Sequence, residues 1–81
     1  MNVQIQLFAA ARDAVGTSPV TIDLPDSPNV ADLRLQLAAD FPKLNSVAKT
    51  LLVAVNQQYA DDEQLLSEND SIACFPPVSG G

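Results

Sequence analysis

Val3, Ile5 and Leu7 alternate with Asn2, Gln4 and Gln6, and further on Val20, Ile22 and Leu24 alternate with Thr21 and Asp23. A period of two belongs to a strand, and it gives each strand one apolar and one polar face. Two such strands need a cover for the apolar side. The chain offers one main candidate: Val30, Leu33, Leu37 and Phe41, with Ala38 between them, recur at helical spacing, while Arg34, Gln36 and Asp40 lie off that stripe. The two patterns together demand a one-faced sheet packed under one principal helix. With 81 residues, 47% of them apolar, there is room for one such pair of layers and material for its core.

The remaining segments fill in the order of elements. Ala9 to Val15 reads as a short helix stopped by Gly16, and Thr17-Ser18-Pro19 as a turn. Asn29 is placed to cap the main helix with Asp32 at its third position, and Phe41-Pro42 closes that helix because proline excludes the helical conformation before it. A weak turn is expected over Lys43 to Ala48. Leu51 to Val55 is apolar on both faces, which suits an interior strand. Asn56-Gln57-Gln58 reads as a turn, Tyr59-Ala60 as a short returning strand, Leu65-Leu66 as a 3₁₀ turn plugging the core, and Ser67 to Asp70 as a further turn. Ser71 to Phe75 is the last strand, with Ile72 and Cys74 on one face and Ala73 and Phe75 on the other. This order predicts an α+β fold of the β-grasp, ubiquitin-like kind: a mixed sheet of about five strands on one main helix, with the first and last strands parallel at its centre. Residues 1–81 form one domain, of which 76–81 make a flexible C-terminal Gly-Gly tail.

Composition removes several functions. Ten acidic against four basic residues give a net charge of −6, which repels phosphate backbones and anionic lipid, so neither nucleic acid nor membrane is an expected partner. The N-terminus lacks the pattern of a signal peptide and no apolar run reaches membrane-spanning length, so a cytoplasmic location is expected. There is no histidine and only one cysteine, which removes a disulfide framework, histidine-based zinc sites and a Ser-His-Asp triad. No metal site is expected; Asp61-Asp62-Glu63 reads as a solvated turn. Cys74, in phase with Ile72 and without a cationic neighbour in sequence, reads as a small buried hydrophobe rather than a sulfur-relay nucleophile. Arg12 and Lys49 are either solvated or matched to acidic loops of a partner.

The chemistry left to such a chain lies in its last seven residues, Phe75-Pro76-Pro77-Val78-Ser79-Gly80-Gly81. Glycine has no Cβ, so a Gly-Gly segment follows narrow channels closed to other residues and leaves its carbonyl carbon unshielded. A free carboxylate is inert to nucleophiles at neutral pH and needs prior activation by another protein. Pro76-Pro77 favours a polyproline-like stalk that has little entropy to lose on docking, although it also serves simply to end the last strand. From Pro76 to Gly81 the extended reach is at most about 20 Å. Phe8, Tyr59 and Phe75 all fall out of phase with the inward residues of their strands, so they are expected together on the sheet face away from the helix, either as an interface or covered by their own loops.

Leu7-Phe8-Ala9, Arg12, Ala54-Val55-Asn56-Gln57 and the Pro-Pro-Val-Ser-Gly-Gly tail resemble the small, sulfur-carrying subunits of molybdopterin synthases, and the resemblance runs from end to end. Tyr59 departs from it, standing where a plain aliphatic residue is common. The resemblance implies a non-catalytic, sulfur-donating subunit with no stably bound cofactor. An activating enzyme adenylates Gly81 with ATP, a sulfur donor protein displaces AMP to leave a thiocarboxylate, and the tail enters the large synthase subunit. There it gives sulfur to the cyclic pyranopterin precursor in molybdenum cofactor biosynthesis. A heterotetramer with two large subunits is implied in the same way. Gly80 and Gly81 are thus the reactive residues, and Phe8, Tyr59, Phe75, Pro76, Pro77, Val78 and Ser79 the partner-binding ones. A thiamin-type sulfur carrier and a ubiquitin-like protein modifier use the same terminus and stay open as alternatives.

Overall fold

The alternating N-terminal segment forms strand β1, Asn2–Leu7, with Val3, Ile5 and Leu7 buried and the three polar residues exposed. The computed structural model describes residues 1–77; Val78, Ser79, Gly80 and Gly81, which carry the expected tail chemistry, lie outside the described residues. Helix α1, Ala9–Val15, follows and ends where Gly16 turns left-handed at φ 91° and donates its N–H to the Arg12 carbonyl at 2.7 Å. Strand β2, Val20–Asp23, returns antiparallel to β1 with Val3 opposite Ile22 and Ile5 opposite Val20. That register keeps every apolar side chain of the pair on one face.

Helix α2, Val30–Asp40, lies across that face. Its start is fixed by a reciprocal cap: Asp32 donates its backbone N–H to Asn29 Oδ1, and Asn29 donates its own to Asp32 Oδ2, each at 2.9 Å. Val30, Leu33 and Leu37 are fully buried against the sheet. Phe41 is the C-cap rather than a helical member of the stripe, and it is only half-buried. The expected weak turn is a 3₁₀ helix, Pro42–Leu44, continued by turns that insert Leu44, Ala48 and Leu51 into the core.

Strands β3 (Leu52–Val55), β4 (Gln58–Tyr59) and β5 (Ile72–Phe75) complete a five-stranded sheet of order β2-β1-β5-β3-β4. β5 sits at the centre, parallel to β1 and antiparallel to β3, the β-grasp arrangement. The hairpin between β3 and β4 is tighter than its sequence indicates. Only Asn56 and Gln57 form the loop, both at positive φ (52° and 70°), so Gln58 belongs to the strand and Ala60 does not. A two-residue hairpin loop requires that left-handed pair to match strand twist, and glutamine carries no signal for it.

The expected 3₁₀ turn at Leu65-Leu66 is absent. Leu65 instead makes an isolated bridge with Asn29 and stays 64% exposed, while Leu66, 5% exposed and bonded through its N–H to the Pro28 carbonyl, alone plugs the core. The α2 cap thus binds this crossing segment on its other side: Val30 and Ala31 donate to the Gln64 and Asp62 carbonyls at 3.0 and 3.1 Å.

Candidate functional site

The C-terminal ends of β1 and β5 lie together because the two strands run parallel, with Leu7 opposite Cys74. Phe8 continues the pairing by donating its N–H to the Cys74 carbonyl at 3.1 Å. The chain then swings into α1 through Ala9, held at φ 52°. A left-handed alanine costs on the order of 1 kcal/mol. Its effect is to divert the backbone sharply while Phe8 keeps the outward-facing phase, 47% exposed.

Phe75 ends β5 on the same outward face, directly before Pro76 and Pro77. Its ring meets Phe8 edge-on, centroids 6.3 Å apart at 74°, and Tyr59 at 5.8 Å and 57°. Tyr59 reaches it across β3, since Tyr59 pairs with Ala54 and Ala54 with Ala73. The small side chains of Ala54 and Ala73 leave the space that the larger rings cross. The structure therefore brings the three aromatic residues singled out from the sequence into one chain of contacts, with Phe75 in the middle and Tyr59, 73% exposed, at its rim. Edge-to-face and tilted rings at these spacings attract one another by about 0.5–1.5 kcal/mol per pair beyond burial. Pro76 is half-buried and Pro77 exposed at the edge of this surface. No enclosed pocket is found among the described residues, so what the site offers is a surface and not a cavity.

Cys74 lies one residue before Phe75 but points to the opposite face, fully buried. Burial pushes its thiol up from 9.0 to about 12, with the charge of Arg34 drawing it back by less. A thiol held protonated and out of reach is no nucleophile. Among the described residues no three acidic or cysteine side chains converge as metal ligands.

One residue central to the architecture carries no clear signal in the sequence. Arg34 lies off the apolar stripe, yet its side chain is only 17% exposed. Nη1 donates to the carbonyls of Ala48 and Leu51 at 2.8 and 2.6 Å, and Nε donates to Asp62 Oδ1 at 2.8 Å. The guanidinium thereby ties the segment leading into β3 and the loop after β4 to the same helix. Asn56 performs a smaller version of this: it donates from Nδ2 to Asp70 and accepts from the Ser71 N–H, at 3.0 and 2.9 Å, fixing where β5 begins.

Residues 5–81 match the family described as ThiS family. A molybdopterin synthase sulfur carrier subunit from Chlamydomonas reinhardtii is 37% identical over 83 residues, a match that covers all of both chains. Among solved structures, SAMP1 from Haloferax volcanii superposes with a TM-score of 0.85 at 27% identity, again over the whole of both chains. A protein–protein complex of subunits 1 and 2 of the molybdopterin-converting factor from Helicobacter pylori contains a chain of the same fold, with a TM-score of 0.67, 22% identity and full coverage of both chains.

Proposed function

We propose, since this chain belongs to the ThiS family, that it is the sulfur-carrier subunit of a molybdopterin synthase. The observation that carries the reading is full-length likeness, at 37% identity, to a relative bearing that name. In this reading Gly81 is the working residue. Its carboxylate attacks the α-phosphate of ATP on an activating enzyme, releasing pyrophosphate and leaving an acyl-adenylate. Sulfide delivered by a sulfur donor protein then attacks the acyl carbon and expels AMP, and the product is a thiocarboxylate, a softer nucleophile than the carboxylate it replaces. ATP belongs to the activating enzyme, and this chain keeps no cofactor of its own.

The aromatic surface of Phe8, Tyr59 and Phe75, at the root of Pro76-Pro77, suits the docking of a large subunit that receives the tail, consistent with a subunit pair such as that of the Helicobacter pylori factor. Val78, Ser79 and Gly80 then line the path into the large subunit, and sulfur passes to the pyranopterin precursor. Among the described residues no helix is long and apolar enough to cross a membrane, and the reading places the reaction in the cytoplasm.

A second reading is favoured by the likeness to small archaeal modifier proteins: Gly81, activated in the same way, forms an isopeptide bond with a lysine of another protein. Intact-mass measurement separates the two. After incubation with ATP, activating enzyme and a sulfur donor, a carrier gains the mass difference of sulfur for oxygen, and a chain lacking Gly81 does not. A wild-type mass left unchanged by the incubation rejects the carrier role. Gly-Gly remnants on lysines of other proteins, without sulfur loading, establish the modifier role instead.

A further inference from the structure

Among the described residues, four other than glycine hold a positive φ: Ala9, Ser27, Asn56 and Gln57. Asn56 and Gln57 make the hairpin loop that demands it, and Ser27 lies in the loop between β2 and α2. Ala9 has neither reason. It stands at the junction of β1 and α1, it is exposed, and it has no polar side-chain atom with which to bond its own backbone. The other end of the same helix uses glycine: Gly16, at φ 91°, is outside the small left-handed region open to L-residues, whereas Ala9, at 52°, sits at its border. Strained backbone persists where its surroundings over-determine it. Here those surroundings act on Phe8, which is extended at φ −127° and ψ 155°. Its N–H donates to the Cys74 carbonyl at 3.1 Å and so ties it to β5, while its carbonyl accepts the N–H groups of Ala11 and Arg12 at 3.2 and 3.4 Å and so ties it to α1. The reversal from ladder to helix is left to Ala9 alone. The Phe8 ring is held far less: its aromatic contact is the edge-on one with Phe75, and the residue is 47% exposed. The aim of the ring therefore depends on how stiffly the backbone beneath it is fixed.

We infer that Ala9 is a positioning residue: its methyl confines the turn to a narrow left-handed basin and thereby holds the Phe8 ring against Phe75 in the pose that the large synthase subunit meets. The inference rests on the carrier reading, in which the aromatic surface docks that subunit. Glycine at this position removes the strain but admits a broad range of backbone angles, so that Phe8 has to be ordered again on binding. A D-residue favours positive φ and keeps the methyl, so it removes the strain without widening the basin. The two replacements therefore separate relief of strain from loss of stiffness.

The test compares three full-length chains: wild type, Ala9→Gly, and a chemically synthesised chain with D-alanine at position 9. Each is followed by thermal melting, by the Phe8–Phe75 ring contacts in NMR, and by calorimetric binding to the large synthase subunit from the same organism. The D-alanine chain is expected to melt about 4–8 °C higher, to keep the ring contacts, and to bind within about twofold of wild type. Ala9→Gly is expected to melt within about 4 °C of wild type, because relief of strain and the added freedom of the unfolded chain nearly cancel. It should nevertheless weaken the ring contacts and bind about fivefold less tightly. In a Phe8→Ala background the same change should alter binding by less than about twofold, since a residue that acts through Phe8 then has nothing to hold. Wild-type affinity in Ala9→Gly, or a loss that persists in full without the Phe8 ring, overturns the inference. A D-alanine chain that melts lower than wild type, or binds as weakly as the glycine variant, overturns it too, as does an Ala9→Gly chain that fails to fold, because Ala9 then serves the whole domain. A wild-type chain that acquires sulfur but never binds the large subunit overturns the positioning role and leaves a sulfur carrier; one that neither acquires sulfur nor binds removes both.

Discussion

Replacing Arg34 with methionine keeps most of the aliphatic stem and deletes the guanidinium. Two of the lost bonds are charge-assisted contacts to the part-buried carbonyls of Ala48 and Leu51. Such bonds are worth roughly 1.5–3 kcal/mol each when sheltered, and about 1–1.5 here because solvent reaches one side. The Asp62 pair adds only about 0.2–1 kcal/mol, since its carboxylate is 60% exposed. The total is a loss of about 2–4 kcal/mol against a stability on the order of 4–12 kcal/mol for a domain of this length. Converted at roughly 4–8 °C per kcal/mol, the melting temperature falls by about 8–32 °C. Circular dichroism melts and urea titrations of Arg34→Met, Arg34→Lys and Asp62→Asn measure it. Asp62→Asn should lose less than about 1 kcal/mol. Arg34→Lys should fall between the two, because one ammonium cannot reproduce the fork. A loss in Arg34→Met no larger than that in Asp62→Asn would show that the carbonyl contacts contribute nothing, and would refute the reasoning.

Three further outcomes are expected. Tyr59→Ala should weaken binding to the large subunit by about tenfold or more in calorimetry, as aromatic rim-to-centre contacts do, while moving the melting temperature by only a few degrees because the ring is mostly exposed. Asn29→Ala should cost about 1 kcal/mol in urea unfolding through loss of the helix cap, and Asn29→Asp should retain most of it. For Cys74 the folded thiol is raised from 9.0 to about 12, so the unfolded chain ionises first; the contribution is intact below pH 9 and is lost as pH rises toward 12. The difference in stability between wild type and Cys74→Ala should therefore be flat from pH 6 to 8 and shrink above pH 9, and a flat difference up to pH 11 would contradict a buried thiol.

The legibility of this fold follows from where side chains alone decide the backbone. The β1 and β2 alternation, the α2 stripe from Val30 to Leu37, the Asn29 and Asp32 cap and the Gly16 stop are local chemistry, and the structure places each as the sequence indicates, with only Phe41 falling outside the helix. The aromatic grouping was readable for the same reason: phase along a strand assigns a face, and parallel pairing of the first and last strands supplies the neighbourhood. What escaped depended on tertiary context. Two left-handed residues at Asn56 and Gln57 need no glycine when β3 and β4 fix the register, so the turn looked one residue longer than it is. Leu65 and Leu66 looked like a helical plug because their apolarity is visible, whereas the bridge to Asn29 that turns one outward is not. Arg34 escaped for the converse reason. Its partners are three backbone carbonyls and one of several acidic residues, and carbonyls have no signature in a sequence.

The placement of β5 has a mechanical consequence. A partner that grips beyond Pro77 and tugs pulls along the axis of the strand that ends in Phe75, and that strand is bonded to β1 on one side and β3 on the other. The load meets both ladders in shear, so many bonds must yield at once. A tail rooted at an edge would peel away one bond at a time. The strand that leads to Pro76 and Pro77 is therefore held from both sides, and the domain keeps its shape under a pull along β5.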